Sequence, residues 1–108
     1  RMVNAEGLAG EQATFGKGSP WMAFHGRRAG GVEEGIALFQ HPGNPWYPAP
    51  WFTRDYGFLS PTPMYWPQDG AATKIKQGEQ LMLRYRTVVF AGDPKSARLG
   101  ELFEAYAK

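Results

Sequence analysis

The sequence predicts a mainly β fold: an antiparallel β-sandwich-like sheet with a long Pro- and aromatic-rich loop and one C-terminal α-helix. Three observations lead there. Short apolar runs alternate with Gly-containing turn segments. Seven of the nine prolines fall between His41 and Pro67, where each fixes φ and removes a backbone donor, which excludes a long helix. A helical apolar stripe follows Pro94.

Taken in order, residues 1 to 19 carry Gly7, Gly10, Gly16 and Gly18 and read mostly as loop, with Gln12 to Phe15 the one short strand candidate. Trp21 to His25 has the aromatic enrichment of a strand, and Gly26 to Gly31 has turn composition. Gly35 to Gln40 forms the next strand. Its run Ile36-Ala37-Leu38-Phe39 is continuously apolar, as expected of a strand buried on both faces, and the two strands pair as a hairpin. Within the proline segment only Asp55 to Ser60 has room for a strand; Trp46, Tyr47, Trp51, Phe52, Tyr65 and Trp66 are expected to hold the rest down. Gln80 to Phe90 alternates Leu81, Leu83 and Tyr85 with Met82, Arg84 and Arg86, a half-buried strand whose β-branched far end is expected to be the more buried. Gly92-Asp93-Pro94 then supplies a turn, an N-cap carboxylate and a first-turn proline. A helix from Pro94 to about Ala107 follows, with Leu99, Leu102, Phe103 and Tyr106 on one stripe.

The 108 residues fit one small domain, or the C-terminal part of a larger β-sandwich domain. The start Arg1-Met2-Val3-Asn4 has no signal-peptide pattern, so the true N-terminus is expected upstream. Twelve basic against ten acidic residues give a net charge of +2, and no Lys/Arg stripe accompanies Arg27-Arg28 or Arg84 and Arg86, so nucleic acid is not expected as a partner. The absence of cysteine excludes disulfides, thiolate metal sites and cysteine nucleophiles. No apolar run reaches the roughly 20 residues of a membrane helix. Gly26 to Gly31 and Gly16 to Ser19 lack the spacing of nucleotide-binding loops.

One stretch is distinctive. Gly35 to Gly57 contains His41-Pro42-Gly43-Asn44-Pro45, then Pro50-Trp51, Arg54 and Tyr56-Gly57, and is followed by Leu83-Arg84-Tyr85-Arg86-Thr87-Val88-Val89. This combination, with Asn4 to Gly7 and Trp21 upstream, resembles the PmoA-like family of bacterial proteins. Members look more than twice as long, which would make this chain their C-terminal portion. The resemblance implies β-sandwich-like proteins, periplasmic or secreted, with roles around polysaccharides, so carbohydrate becomes the leading ligand class. The family's methane-oxygenase label implies a metal-dependent oxygenase, and is set apart because the particulate enzyme's subunit of that name is a membrane protein.

His41, Asn44, Trp51, Arg54, Asp55 and Tyr56 offer an imidazole, an amide, a guanidinium, a carboxylate and two aromatic faces within sixteen residues of proline-stiffened chain. Such a set suits a sugar, whose hydroxyls take polar groups and whose C–H face packs on aromatic rings. The other reading is structural, with His41 closing the strand, Arg54 meeting Asp55 or a carbonyl, and the rings filling a loop core. His41 is the one candidate acid/base, since imidazole titrates near neutrality, in a glycan hydrolase or lyase; a non-catalytic glycan-binding or structural domain is the alternative. His25 and His41 each end a strand and could approach one another through the hairpin. A metal would need a third ligand from Asp55, Glu33 or elsewhere, so no metal site is assigned and the cofactor is unknown. Glu33-Glu34 reads as solvated rather than as a glycosidase pair. Arg84 and Arg86, on one face of their strand, either line a cleft for an anionic or hydroxyl-rich ligand or are solvated.

Overall fold

The computed structural model describes residues 1–63 and 73–108. Its elements are β1 (Met2–Asn4), α1 (Glu11–Thr14), β2 (Trp21–Arg27), β3 (Glu33–Gln40), β4 (Trp51–Arg54), β5 (Phe58–Pro61), β6 (Tyr85–Ala91) and α2 (Leu99–Ala107). Four strands form one antiparallel sheet in the order β1-β2-β3-β6, and β4 and β5 form a separate hairpin. The fold is therefore mainly β and antiparallel with one C-terminal helix, as the sequence predicts. No helix among the described residues is long and apolar enough to cross a membrane.

The β2–β3 hairpin sets the register of everything else. Trp21 lies opposite Phe39 and Arg27 opposite Glu33, and β6 returns along β3 with Tyr85 opposite Gln40 and Ala91 opposite Glu34. Because side chains alternate across a pleated strand, this register sorts the sheet into two faces. Val3, Ala23, Ala37, Phe39, Val88 and Phe90 share one face, which α2 covers through Leu99, Phe103 and Tyr106. Met2, Met22 and Leu38 share the other, where Trp51 and Leu59 of the β4–β5 hairpin pack. Gly35 is required mid-strand: a Cβ there would fall 2.6 Å from both the Phe24 carbonyl oxygen and the Phe90 ring.

The proline segment is tied to the sheet by side chains. Trp51 is fully buried and its indole N–H donates to the Ser19 carbonyl at 2.9 Å. Gln40, also buried, donates to the Ser19 and Ala49 carbonyls at 3.0 Å each and accepts the Ala49 N–H at 3.2 Å. These bonds satisfy backbone groups that a loop laid on a core would otherwise leave orphaned. Trp46, in contrast, is 44% exposed and anchors little. Tyr65, Trp66 and Pro67 lie outside the described residues.

Several boundaries and burials differ from the sequence reading for identifiable reasons. Gln12 to Thr14 is helical, not extended, because the turn has tertiary partners. Glu11 N–H donates to the Asp55 carboxylate, Asp55 N–H donates back to Glu11, and the Thr14 hydroxyl bonds the Gly10 carbonyl and meets Thr53. The strand candidate Asp55 to Ser60 is instead the turn and second arm of a hairpin, with Gly57 at φ 116. Residues 80 to 84 leave the strand, which starts at Tyr85. Ile36 is 45% and Val89 79% exposed, because β4–β5 covers only the Met2 and Met22 corner of that face. The strands β2 and β3 extend to Arg27 and from Glu33, so the turn between them is shorter than Gly26 to Gly31.

The C-terminal helix begins at Leu99 rather than Pro94. Asp93 does accept the Ser96 N–H at 2.7 Å, as a cap should, but Arg98 at φ 57 interrupts the chain and the helix restarts beyond it. Leu102 faces solvent while Leu99, Phe103 and Tyr106 turn inward.

Two outcomes follow. Trp51→Ala removes the largest buried side chain together with its hydrogen bond and is expected to cost about 3–5 kcal/mol, read by urea denaturation against wild type. The Asp93 carboxyl is held below the ordinary carboxylate range, chiefly by the Ser96 N–H. Its contribution is therefore present at neutral pH and lost as pH falls through that lowered pKa. The melting-temperature difference between wild type and Asp93→Asn should shrink toward zero in acid; a difference that persists there would contradict the cap.

Candidate functional site

At the end of the sheet away from the β2–β3 turn, β3 gives way to His41 and β6 begins after Arg84. The two chain segments are bound to each other, His41 N–H donating to the Arg84 carbonyl at 3.1 Å. Asn44 reinforces this junction. Its buried amide donates to the Arg84 carbonyl at 2.8 Å and accepts the Arg84 N–H at 2.7 Å, so one side chain closes both backbone groups of a single residue. His41, Gly43, Asn44, Met82 and Arg84 line a cleft of about 190 Å³ beside it.

Within this cleft the imidazole orientation is determined. His41 Nδ1 accepts the Gly43 N–H at 2.9 Å, so the neutral ring carries its proton on Nε2 and offers a donor there. The ring meets Tyr106 edge-on, with centroids 5.1 Å apart, and on the same Tyr106 ring lies the Arg86 guanidinium at 4.6 Å. Neither Arg84 nor Arg86 forms an ion pair with a carboxylate among the described residues. Among the described residues the Arg84 guanidinium donates to the Met82 sulfur, at 3.5 Å. Burial raises the Tyr106 phenol above its ordinary pKa, against the opposing pull of Arg86 and then Arg84. Tyr85 is raised as well, first by burial and then by Tyr106. Both phenols are thus neutral at physiological pH. The Tyr106 hydroxyl is buried and has no hydrogen-bond partner among the described residues. An orphaned buried hydroxyl of this kind calls for a partner beyond the described residues.

The structure brings together His41, Asn44, Arg84 and, across the Tyr106 ring, Arg86. It separates the rest of the proposed set. Trp51 is sealed in the core and cannot present a face to a sugar. Arg54 lies over the Phe15 and Phe52 rings, at 4.9 and 4.3 Å, and 3.7 Å from Glu11, on the outside of the β4–β5 hairpin. Asp55 caps α1, and Tyr56 projects from the hairpin turn, 81% exposed. His25 and His41 do not meet. In an antiparallel hairpin two strand C-termini lie at opposite ends, and the register puts roughly 20 Å between these residues at about 3.4 Å per residue. His25 instead contacts Glu33 at 3.0 Å. No three His, Asp or Glu side chains among the described residues group so as to hold a metal.

Larger hollows exist but carry less chemistry. One of about 510 Å³ runs over Phe24, Ile36 and Val89, and one of about 440 Å³ separates β1 from the start of α2. Of their charged borders, Arg28 pairs with Glu34 and Arg98 with Glu101, while Arg27 and Lys95 form no ion pair among the described residues. Tyr106 is the site residue that sequence reasoning missed. It was legible as part of the helix stripe, but nothing in the linear chain says that the last turn of α2 ends over His41.

The described residues thus form a mainly β, antiparallel fold with a polar, cation-rimmed cleft at one end of its larger sheet. The chain belongs to the family of unknown function DUF6807, whose model matches residues 1–104. No curated protein and no solved structure matches the chain.

Asn44→Ala removes both bonds to Arg84, leaving its N–H without that partner while the His41 N–H still serves its carbonyl, and should lower stability by about 1–3 kcal/mol. Amide exchange at Arg84 should rise more than at Phe39, which the sheet protects independently.

Proposed function

We propose that this chain binds an acidic, hydroxyl-rich ligand, an anionic oligosaccharide, in the His41 and Arg84 cleft. The observation that carries the reading is a pair of guanidinium groups without carboxylate partners among the described residues, Arg84 lining the cleft and Arg86 over the Tyr106 ring, whose buried hydroxyl is also unpartnered there. Carboxylates of a sugar acid satisfy guanidinium groups by charge-assisted hydrogen bonds. Ring hydroxyls match the His41 Nε2 donor and the Tyr106 hydroxyl. The resemblance to PmoA-like proteins, with their suspected polysaccharide context, supports sugar over other anions. Hydrolase or lyase chemistry through His41 is the weaker form of this reading: Nδ1 is engaged by Gly43, and no carboxylate among the described residues lines the cleft to share acid/base work. Binding without turnover is what the geometry favours.

Calorimetric titration with an oligouronide, set against a neutral oligosaccharide of the same length, tests this. Binding of the uronide alone is expected, weakened about tenfold or more by Arg84→Ala, as loss of a charge-assisted bond implies, and weakened less by Tyr106→Phe. Equal binding of the neutral sugar, or indifference to Arg84→Ala, would remove the basis for the assignment.

A further inference from the structure

Strand β6 is an edge of the four-stranded sheet, and it is long, regular and, among the described residues, bare. Its inner pairing identifies which backbone groups are free. The Arg84 carbonyl accepts from His41 and Gly92 N–H donates to the Glu33 carbonyl, so even-numbered residues bond to β3. By the alternation of an antiparallel ladder, Tyr85, Thr87, Val89 and Ala91 turn their N–H and C=O groups outward. The opposite edge, β1, is three residues long and bridged by Ala9. The usual protections of an exposed edge, Pro, Lys, a bulge or a covering loop, are missing from Thr87 to Ala91 among the described residues.

We infer that β6 is a dimerisation edge that pairs antiparallel with β6 of a second copy, joining two four-stranded sheets into one of eight. Charge selects this occupant and this direction. Arg84 and Arg86 lie at the start of the strand, whereas Glu33, Glu34 and Asp93 surround its end. A two-fold antiparallel partner sets each cationic end beside the other's acidic end; a parallel strand would set like beside like. The residues are self-complementary about Val88. In that register Thr87 opposes Val89 of the second copy, Arg86 opposes its Phe90, and bulky Tyr85 opposes small Ala91. Val89, 79% exposed in the single chain, would be flanked by Ile36 on one side and Thr87 of the second copy on the other.

Sedimentation of the full chain over a dilution series, together with hydrogen exchange, tests the inference. A reversible dimer is expected, with the amides of Tyr85, Thr87, Val89 and Ala91 protected when concentrated and exposed on dilution. Val89→Lys should raise the dimer dissociation constant about tenfold or more with an unchanged circular dichroism spectrum. Should that variant fail to fold, the wild-type exchange pattern alone decides. A monomer at all concentrations, or a dimer that leaves these four amides unprotected, would overturn it, as would an edge occupied instead by a strand of another protein. None of these readouts depends on sugar binding.

Discussion

The Ser19 carbonyl is the hinge on which the arrangement rests. It accepts from the Gln40 amide and the Trp51 indole at once, and so ties the last residue of β3, the first residue of β4 and the approach to β2 at one buried point. The Gln40 amide extends the tie to both backbone groups of Ala49. Ten residues of Pro-rich chain between Gln40 and Trp51 are thereby closed into a loop with fixed ends. Closing it this way satisfies buried polar groups with buried polar partners, which in a low-dielectric interior both rigidifies and specifies the conformation. With those ends held, His41 and Asn44 have one place to go, against the start of β6.

That position explains why the cleft has its chemistry. Asn44 uses both ends of its amide on Arg84's backbone, and Arg84's guanidinium forms no ion pair among the described residues. The Phe39, Phe103 and Tyr106 cluster holds the last turn of α2 over the same corner, and Arg86 lies on the exposed side of that cluster. Core packing and the polar site are continuous: the ring that fills the core edge also carries the hydroxyl that lacks a partner among the described residues. Among the described residues the sheet keeps two open features, the β6 edge and a face that the short β4–β5 hairpin covers only at the Met2 and Met22 corner.

Much of the architecture was legible. Aromatic enrichment marked β2, a continuous apolar run marked β3, alternation with a β-branched end marked β6, and the stripe of Leu99, Phe103 and Tyr106 marked α2. The errors share a cause. Ile36 and Val89 are as apolar as Phe39 and Phe90, yet one pair is exposed and the other buried, because burial depends on which layer covers which face. Gln12 to Thr14 has no helical pattern of its own and is helical only because Glu11, Asp55 and Thr53 meet it from elsewhere. Of the proposed site, His41, Asn44, Arg84 and Arg86 come together, while Trp51, Arg54, Asp55, Tyr56 and His25 disperse. Proximity along the chain misled there, since a period-two strand and a hairpin turn send neighbours to opposite sides.

By itself the sequence determined the class: strands where apolar residues alternate between Gly and Pro, a helix where they recur at 3.6, no thiol chemistry, and a proline segment that cannot be helical. Those are local consequences of backbone sterics and side-chain period. Only the tertiary structure decided which polar residues share a cleft, that Tyr106 belongs with them, and which strand edge stays open. Those depend on register and on which layer covers which face, and both are settled by contacts between residues far apart in the chain.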